Sequence, residues 1–414
     1  MKIRRSLAGF LTAQAVSITG TRISAIALPW FVLTTTGSAT KTGLVAFCEM
    51  TPYVLVKAFG GPVIDRWGSK RASVVADVVS AAAVGAVPVL HSLGLLSLWL
   101  LLALVAVAGA ARGPGDAAKN ALVPDIADEG GMPLERVTGL AGTVERSAST
   151  VAPAAAGILI GIVGPVPSLL LDAGSFAVSA LLVRAFVPGS SNPTEGVTEA
   201  AYLARLREGW TFLTSDRLLR SLIAMVSVTN LLDAAAFSVL LPVWARDNGG
   251  GPAAIGTVYT TLSATAILGS IVATTLATRL PRRPVYLVGY LVAGLPRFVV
   301  FAVGAPLWVV AVVHMVSGFG VGFINPIIGA VTYERIPREL LGRVEALCGA
   351  LTWAGIPLGG LAGGVVLMAF GLTPALLLCG GVYFLATLLP GLRSEWAAMD
   401  EQRHDDAVGD VARS

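Results

Sequence analysis

The chain has 414 residues, of which 55% are hydrophobic and only 13% charged, with a net charge of +4. A soluble domain carries about a quarter charged residues, so a water-exposed enzyme is excluded. The three cysteines, Cys48, Cys348 and Cys379, lie far apart in or near apolar runs and predict neither a disulfide framework nor a metal site.

A membrane helix needs roughly 20 apolar residues. In chain order, the hydropathic runs predict twelve such spans: 7–33, 42–62, 72–91, 94–118, 137–163, 166–187, 217–244, 253–278, 284–304, 306–331, 343–369 and 372–391. The opening Met1-Lys-Ile-Arg-Arg leads into an apolar run too long for a signal peptide and lacking a small-residue cleavage site, so a retained first helix is expected. Between the sixth and seventh spans, residues 188–216 are polar. Their first part reads as a linker. Leu203, Leu206, Trp210 and Leu213 then recur at helical spacing, predicting an amphipathic helix on the inner membrane face. The acidic tail after Arg393 reads as disordered. The expected organisation is therefore a six-helix bundle over 1–187, a linker over 188–216, a second bundle over 217–391 and a cytoplasmic tail over 392–414.

Charge follows the same pattern. Lys41 and Arg246 fall on one side of the membrane, and Arg22, Lys57, Arg112, Arg146 and Arg297 fall within spans. Every other Lys or Arg falls on the opposite side, together with both termini. This is the positive-inside asymmetry, so the basic balance reports topology and predicts no nucleic-acid partner. The halves also look like copies. Asn120 to Val137 in the first half is matched by Thr332 to Val344 in the second. Glu145 and Pro153 are matched by Glu345 and Pro357, and Arg279-Leu-Pro-Arg282-Arg283 reads as a reduced copy of the charged connection at 61–71. Parallel repeats of an even number of spans imply an axis along the membrane normal.

That connection, Gly61-Pro-Val-Ile-Asp65-Arg66-Trp-Gly68-Ser-Lys70-Arg71, cannot cross hydrocarbon and must be a tight turn. It resembles the loop between the second and third helices of the major facilitator superfamily, Gly-x-x-x-Asp-Arg-x-Gly-x-Lys/Arg-Arg. Further segments narrow the likeness: Ala27-Leu-Pro29-Trp30, Leu171-Asp172-Ala-Gly-Ser175-Phe176, Leu241-Pro242-Val243-Trp244, and Ile336 to Val344. Together they resemble the branch of drug:proton antiporters that contains macrolide-efflux and enterobactin-exporter proteins. The likeness runs from about Ser6 to Leu392. It implies an all-α integral membrane protein with twelve transmembrane helices in two pseudo-symmetric six-helix bundles. It also implies a conformational latch of Gly61, Asp65, Arg66, Gly68, Lys70, Arg71, Asp77, Gly342 and Arg343, in which Asp65 meets the amino end of the eleventh span and holds the outward-open state. The chain departs from the branch at Thr21-Arg22, where an acid is common, and at Ala152-Pro153, where Gly-Pro is common.

An ionisable group within hydrocarbon costs at least about 2.5–3.5 kcal/mol on insertion scales, so each asks for a partner or a task. Arg22 and Glu49 lie at similar depth and are expected to pair, as a wall that substrate or a proton opens or as a static link between the first two spans. Gln14, Ser17, Thr21 and Ser24 share a face beside them and could hydrate a cavity. Arg112, with Asp116 one turn on, is expected to meet Glu145, as a charge relay or as packing glue. Asp233, with Asn230 and Phe237 on its face, is the expected protonation site of the second half, or else a hydrogen-bonded polar residue near a helix end. His314 lies well within a span and is expected to act as proton carrier or as packing. In the superfamily frame Asp77, Asp172 and Arg297 stand on peripheral helices, where structural roles are expected.

Gly318-Phe-Gly320-Val-Gly322 has no preceding strand and is not a nucleotide loop. No Walker sequence occurs. The resulting expectation is a monomeric, multi-pass secondary transporter of the cytoplasmic membrane, with both termini inside and no cofactor. It would export small hydrophobic substrates such as macrolide-like drugs in exchange for protons, among membrane lipid. The alternatives are a dedicated exporter of a metabolite such as a siderophore, and, in other classes, a polytopic membrane enzyme or a non-transporting sensor.

Overall fold

The computed structural model describes residues 2–59, 66–187, 199–276, 280–337 and 340–400, and among these it is helical with no strand. The first six long helices are α1 (Lys2–Thr36), α2 (Ala39–Phe59), α3 (Ser69–Ser92), α4 (Leu98–Glu129), α5 (Leu134–Val163) and α6 (Pro165–Phe186). A shorter helix, α7 (Glu199–Ser215), precedes α8 (Arg217–Asp247), α9 (Gly251–Leu276), α10 (Arg282–Ala302) and α11 (Leu307–Arg335). The last two are α12, running as Leu341–Trp353 and then Ile356–Phe370, and α13 (Leu372–Gly391). Eleven of these are long and apolar enough to cross a membrane. α2, 21 residues long, is not among the eleven and carries Lys41, Glu49 and Lys57. The expected spans hold to within a few residues, except that α4 runs on to Glu129 and absorbs the predicted Asn120–Asp125 connection. Large apolar side chains such as Trp99, Ile162 and Phe370 stand exposed, as the lipid-facing side of a membrane bundle requires.

Local chemistry explains the irregular points. Gly68 caps α3 with φ +76, a left-handed turn that side chains rarely tolerate, and so accounts for the glycine of the charged connection. In α8, Pro242 has no N–H for the Ser238 carbonyl. The helix widens over Ala236–Leu240 into a π-helical turn, with Leu241 N–H bonding the Ala236 carbonyl. α10 breaks at Gly294, just before Pro296.

The chain forms two compact units. One comprises Met1–Gly196 with Ala234–Thr260 and Pro357–Met368. Within it α1 packs on α5 and α6, α4 on α2 and α3, and α3 on α6. Glycines set the closest approaches. A Cβ on Gly157 would lie 3.1 Å from Gly256 Cα, and one on Gly364 would lie 3.0 Å from Thr40 Cα.

The other unit comprises Val197–Asp233, Thr261–Ile356 and Ala369–Ser414. Within it α10 packs on α11 and α13, and α7 on the first segment of α12. Leu213 of α7 is buried in a cluster with Leu219, Ile336 and Val344. Trp210, expected on the same face, is half exposed. Asp216 caps α8 through the Leu219 N–H at 2.9 Å and pairs with Arg335 at 2.8 Å. In the reduced repeat of the charged connection, Arg282 grips Glu334 through two bonds of 2.5 and 2.7 Å.

The tail departs from expectation. Ser394–Ala397 forms a helical turn, and Trp396 is fully buried against Tyr286 with its indole N–H on Ser221 at 3.0 Å. One indole offers enough apolar area to order a short polar segment. Residues 401–414 lie outside the described residues.

Candidate transport site

Glu49, Tyr53 and Lys57 recur every four residues on α2 and share one face, and Arg112 and Asp116 do the same on α4. The two faces meet because α4 places Gly109 and Gly113 against the α2 backbone. An added Cβ on Gly113 would lie 2.7 Å from the Tyr53 carbonyl, and one on Gly109 would strike that of Glu49. Arg112 therefore reaches Glu49 at 2.7 Å, with both side chains largely buried. Its guanidinium also stands 5.5 Å from the Tyr53 ring centre. Tyr53 donates to Asp116 at 3.2 Å and accepts from Lys57 at 3.3 Å.

A second cluster joins four helices. Lys119 of α4 donates to Asp77 of α3 and to Ser17 of α1, each at 2.9 Å. The other Asp77 oxygen accepts from Ser179 of α6 at 2.6 Å. Both charges are buried, and each has a hydroxyl bond besides the ion pair itself. Nearby on α6, Asp172 accepts from Ser24 of α1 and, at 3.3 Å, from Ser175.

In the second unit Arg297 of α10 donates to Asp233 of α8 at 2.7 Å and lies 5.7 Å from the Tyr383 ring centre. Asp233 forms part of the wall of a cavity of about 520 Å³ whose other sides include Asn230, Tyr290, Ile324, Trp353 and Tyr383. Asn230 bonds the Thr352 carbonyl at 2.9 Å, fixing the lip of that wall. Mostly apolar walls with a few fixed polar groups suit a small organic molecule.

Residues 4–408 match the model of a family described as transmembrane secretion effectors. The chain belongs to this family of the major facilitator superfamily. Its relatives include the "Multidrug efflux pump Tap" of Mycobacterium tuberculosis, 31% identical over 92% of this chain and 93% of that protein. "Macrolide efflux protein A" of Streptococcus pyogenes is 20% identical over 84% of this chain and 85% of that protein. The crystal structure of the nucleoside transporter NupG superposes with a TM-score of 0.75 at 14% identity, covering 96% of this chain and 99% of that one. That likeness bears out the facilitator fold expected from the sequence.

Within this family fold, several expected pairings are redrawn. Arg22 does not meet Glu49; it donates to Ser149 of α5 at 3.0 Å, while Glu49 turns to Arg112. Glu145 is exposed and does not join Arg112, because the cluster forms on the α2 side of α4. Asp77, expected in the latch, sits inside the bundle with Lys119, while Arg66 before α3 and Arg71 in its first turn are exposed. Arg71 instead stacks over Trp67 at 5.9 Å. Gly61 and Asp65 lie outside the described residues, and Gly342 and Arg343 enter only as the first turn of α12. His314 is buried, its Nδ1 2.8 Å from the Val310 carbonyl and its ring 5.1 Å from that of Phe301.

Ser17 and Ser24, expected to hydrate a cavity, bind the buried charges of Lys119 and Asp172, and Ser24 also lines a small cavity. Lys119 escaped the sequence reading because the fourth span was ended one residue before it. The signal that could have found it is helical spacing, since Arg112, Asp116 and Lys119 continue one polar stripe.

Proposed function

We propose that the chain is a secondary transporter of the cytoplasmic membrane that exports hydrophobic small molecules of the multidrug or macrolide type in exchange for protons. Both termini lie on the cytoplasmic side and the protein works as a monomer. The chain divides into a bundle over 1–187, a linker over 188–216, a bundle over 217–391 and a tail. The reading is supported by the names of the relatives and, above all, by one observation: the Asp233 carboxylate lies in the wall of an aromatic-lined cavity with Arg297 behind it. A proton on Asp233 releases Arg297, and a bound substrate competes for the same carboxylate. Alternating access then carries one ligand out as the other enters. Glu49 with Arg112 offers a comparable exchange in the first half. The latch reading of Asp65 rests on the amino end of α12, where an anion gains about 0.3–1 kcal/mol.

Proteoliposomes under an imposed pH gradient test the reading, with a panel of macrolides and other apolar drugs. The expected result is gradient-driven flux, and Asp233→Asn is expected to leave substrate exchange while removing its dependence on pH. Flux indifferent to the gradient sinks the antiport, and an Asp233→Asn protein with unchanged pH dependence removes that residue from it.

A further inference from the structure

Three buried or half-buried acids each meet a cation directly: Asp77 meets Lys119 at 2.9 Å, Glu49 meets Arg112 at 2.7 Å, and Asp233 meets Arg297 at 2.7 Å. Among the described residues Asp172, 1% exposed, meets no cation directly. There its carboxylate accepts from the hydroxyl of Ser24 and, at 3.3 Å, from that of Ser175, which also stands 2.7 Å from the Asp172 main-chain carbonyl. A carboxylate held by hydroxyls alone is the costliest kind of charge to keep within a membrane bundle. The same hydroxyls accept equally well from a neutral carboxyl, because a serine both donates and accepts. The surroundings thus satisfy both forms of Asp172 without a cation that would fix it as an anion.

The other faces of the site are accounted for. From α1 come Ser24 and Leu28, with Gly20 pressed against Asp172 and Ser175 where any side chain would collide. Arg22 stands two residues from Ser24 and so points about 200° away around the helix, toward α5 and Ser149. From α3 come Ala83, Val84 and Val87, from α2 Glu49, and from α4 Arg112 with Ala108. The titratable groups facing Asp172 are therefore Glu49 and Arg112, which bond each other. Between that pair and Asp172 lies a cavity of about 10 Å³, close to the smallest volume that admits one water.

We propose that Asp172 is a proton-binding site of the first half, holding its proton against Ser24 of α1 and exchanging it across this cavity with the Glu49–Arg112 pair. The proton leaves the carboxyl oxygen for the cavity as the Ser24 hydroxyl turns to donate to the new carboxylate. No bond other than O–H is made or broken. The site couples to α1 because Gly20 and Ser24 both bear on Asp172, so a shift of α1 along α6 alters how well each protonation state is held. This deepens the proton antiport proposed above and rests on it.

Infrared difference spectroscopy on the full-length protein, titrated with pH in detergent, reads the site directly. The wild type is expected to show carbonyl stretches of neutral carboxyls, and Asp172→Asn to lose one of them that Asp233→Asn and Glu49→Gln leave in place. In proteoliposomes Asp172→Asn is expected to lose gradient-driven flux while keeping substrate exchange. A neutral-carboxyl spectrum left unchanged by Asp172→Asn overturns the proposal, as does gradient-driven flux that survives it. A wild type that shows the band but no gradient-driven flux overturns the antiport reading instead. Should Asp172→Asn fail to fold, Ser24→Ala keeps the acid and removes its hydroxyl partner. The midpoint of the band and that of the flux are then expected to move together, and unmoved midpoints overturn the proposal.

Discussion

The Asp77–Lys119 pair admits a sharp test because both charges are buried and their remaining bonds are known. Lys119→Met keeps the length of the side chain and removes the ammonium. It leaves Asp77 with the Ser179 hydroxyl alone, and Ser17 with no donor. Removing one partner of a buried pair costs about 3–5 kcal/mol, since the other charge stays in a low dielectric. That is a shift of roughly two to three and a half decades in the folded-to-unfolded ratio. Asp77→Leu alone strands the lysine and costs a similar amount. The double variant removes both charges and replaces them with apolar volume, so it is expected to return to within about 1–2 kcal/mol of the wild type. Reversible unfolding of the purified protein in mixed micelles measures all three. Singles as stable as the wild type, or a double variant as unstable as the sum of the singles, would refute the pairing of α3 with α4 through these side chains.

The remaining predictions concern packing and its separation from transport. Gly109→Ala forces a methyl into the Glu49 carbonyl and is expected to cost about 1–3 kcal/mol, whereas Gly139→Ala on α5 meets nothing within 4 Å and is expected to stabilise by about 0.5–1 kcal/mol. The same unfolding assay reads both, and equal effects would refute the close approach of α2 and α4. His314→Leu is expected to leave the pH profile of flux unchanged, because the ring is spent on Val310 and Phe301; a displaced profile would make it a proton carrier. Trp396→Ala is expected to cost about 3–5 kcal/mol and to expose the tail to limited proteolysis, since the indole is fully buried beside Tyr286 and Ser221.

The span pattern was legible because it rests on composition along the chain. The partners of the buried charges were not. Depth along a helix follows from counting residues, and on that count Arg22 and Glu49 are level. Direction around a helix does not follow, because it depends on which neighbour each face meets. Small residues decide that here: Gly109 and Gly113 bring α4 onto α2 and hand Glu49 to Arg112. The glycines were visible in the sequence, but their consequence required knowing which backbone they touch. Asp172 and Arg297 were set aside because α6 and α10 are peripheral in the family frame. A peripheral helix still sends one face inward, and both residues lie on that face.

Charge accounting within the first unit carries the point one step further. Glu49 with Arg112 and Asp77 with Lys119 are neutral as pairs, and Asp116 and Lys57 share Tyr53. Among the described residues, what is left inside is Asp172, held by hydroxyls, and Arg22, which holds Ser149 and keeps its Nε buried with no hydrogen-bond partner. The two are opposite charges mounted on or against the same stretch of α1, facing different ways. A rotation of α1 about its own axis would therefore move the Ser24 hydroxyl and the Arg22 guanidinium together relative to α5 and α6. A proton on Asp172 removes one side of that balance and leaves Arg22 as the surplus charge. Protonation and the orientation of α1 are thereby linked through Asp172 and Arg22, which lie toward different faces of that helix.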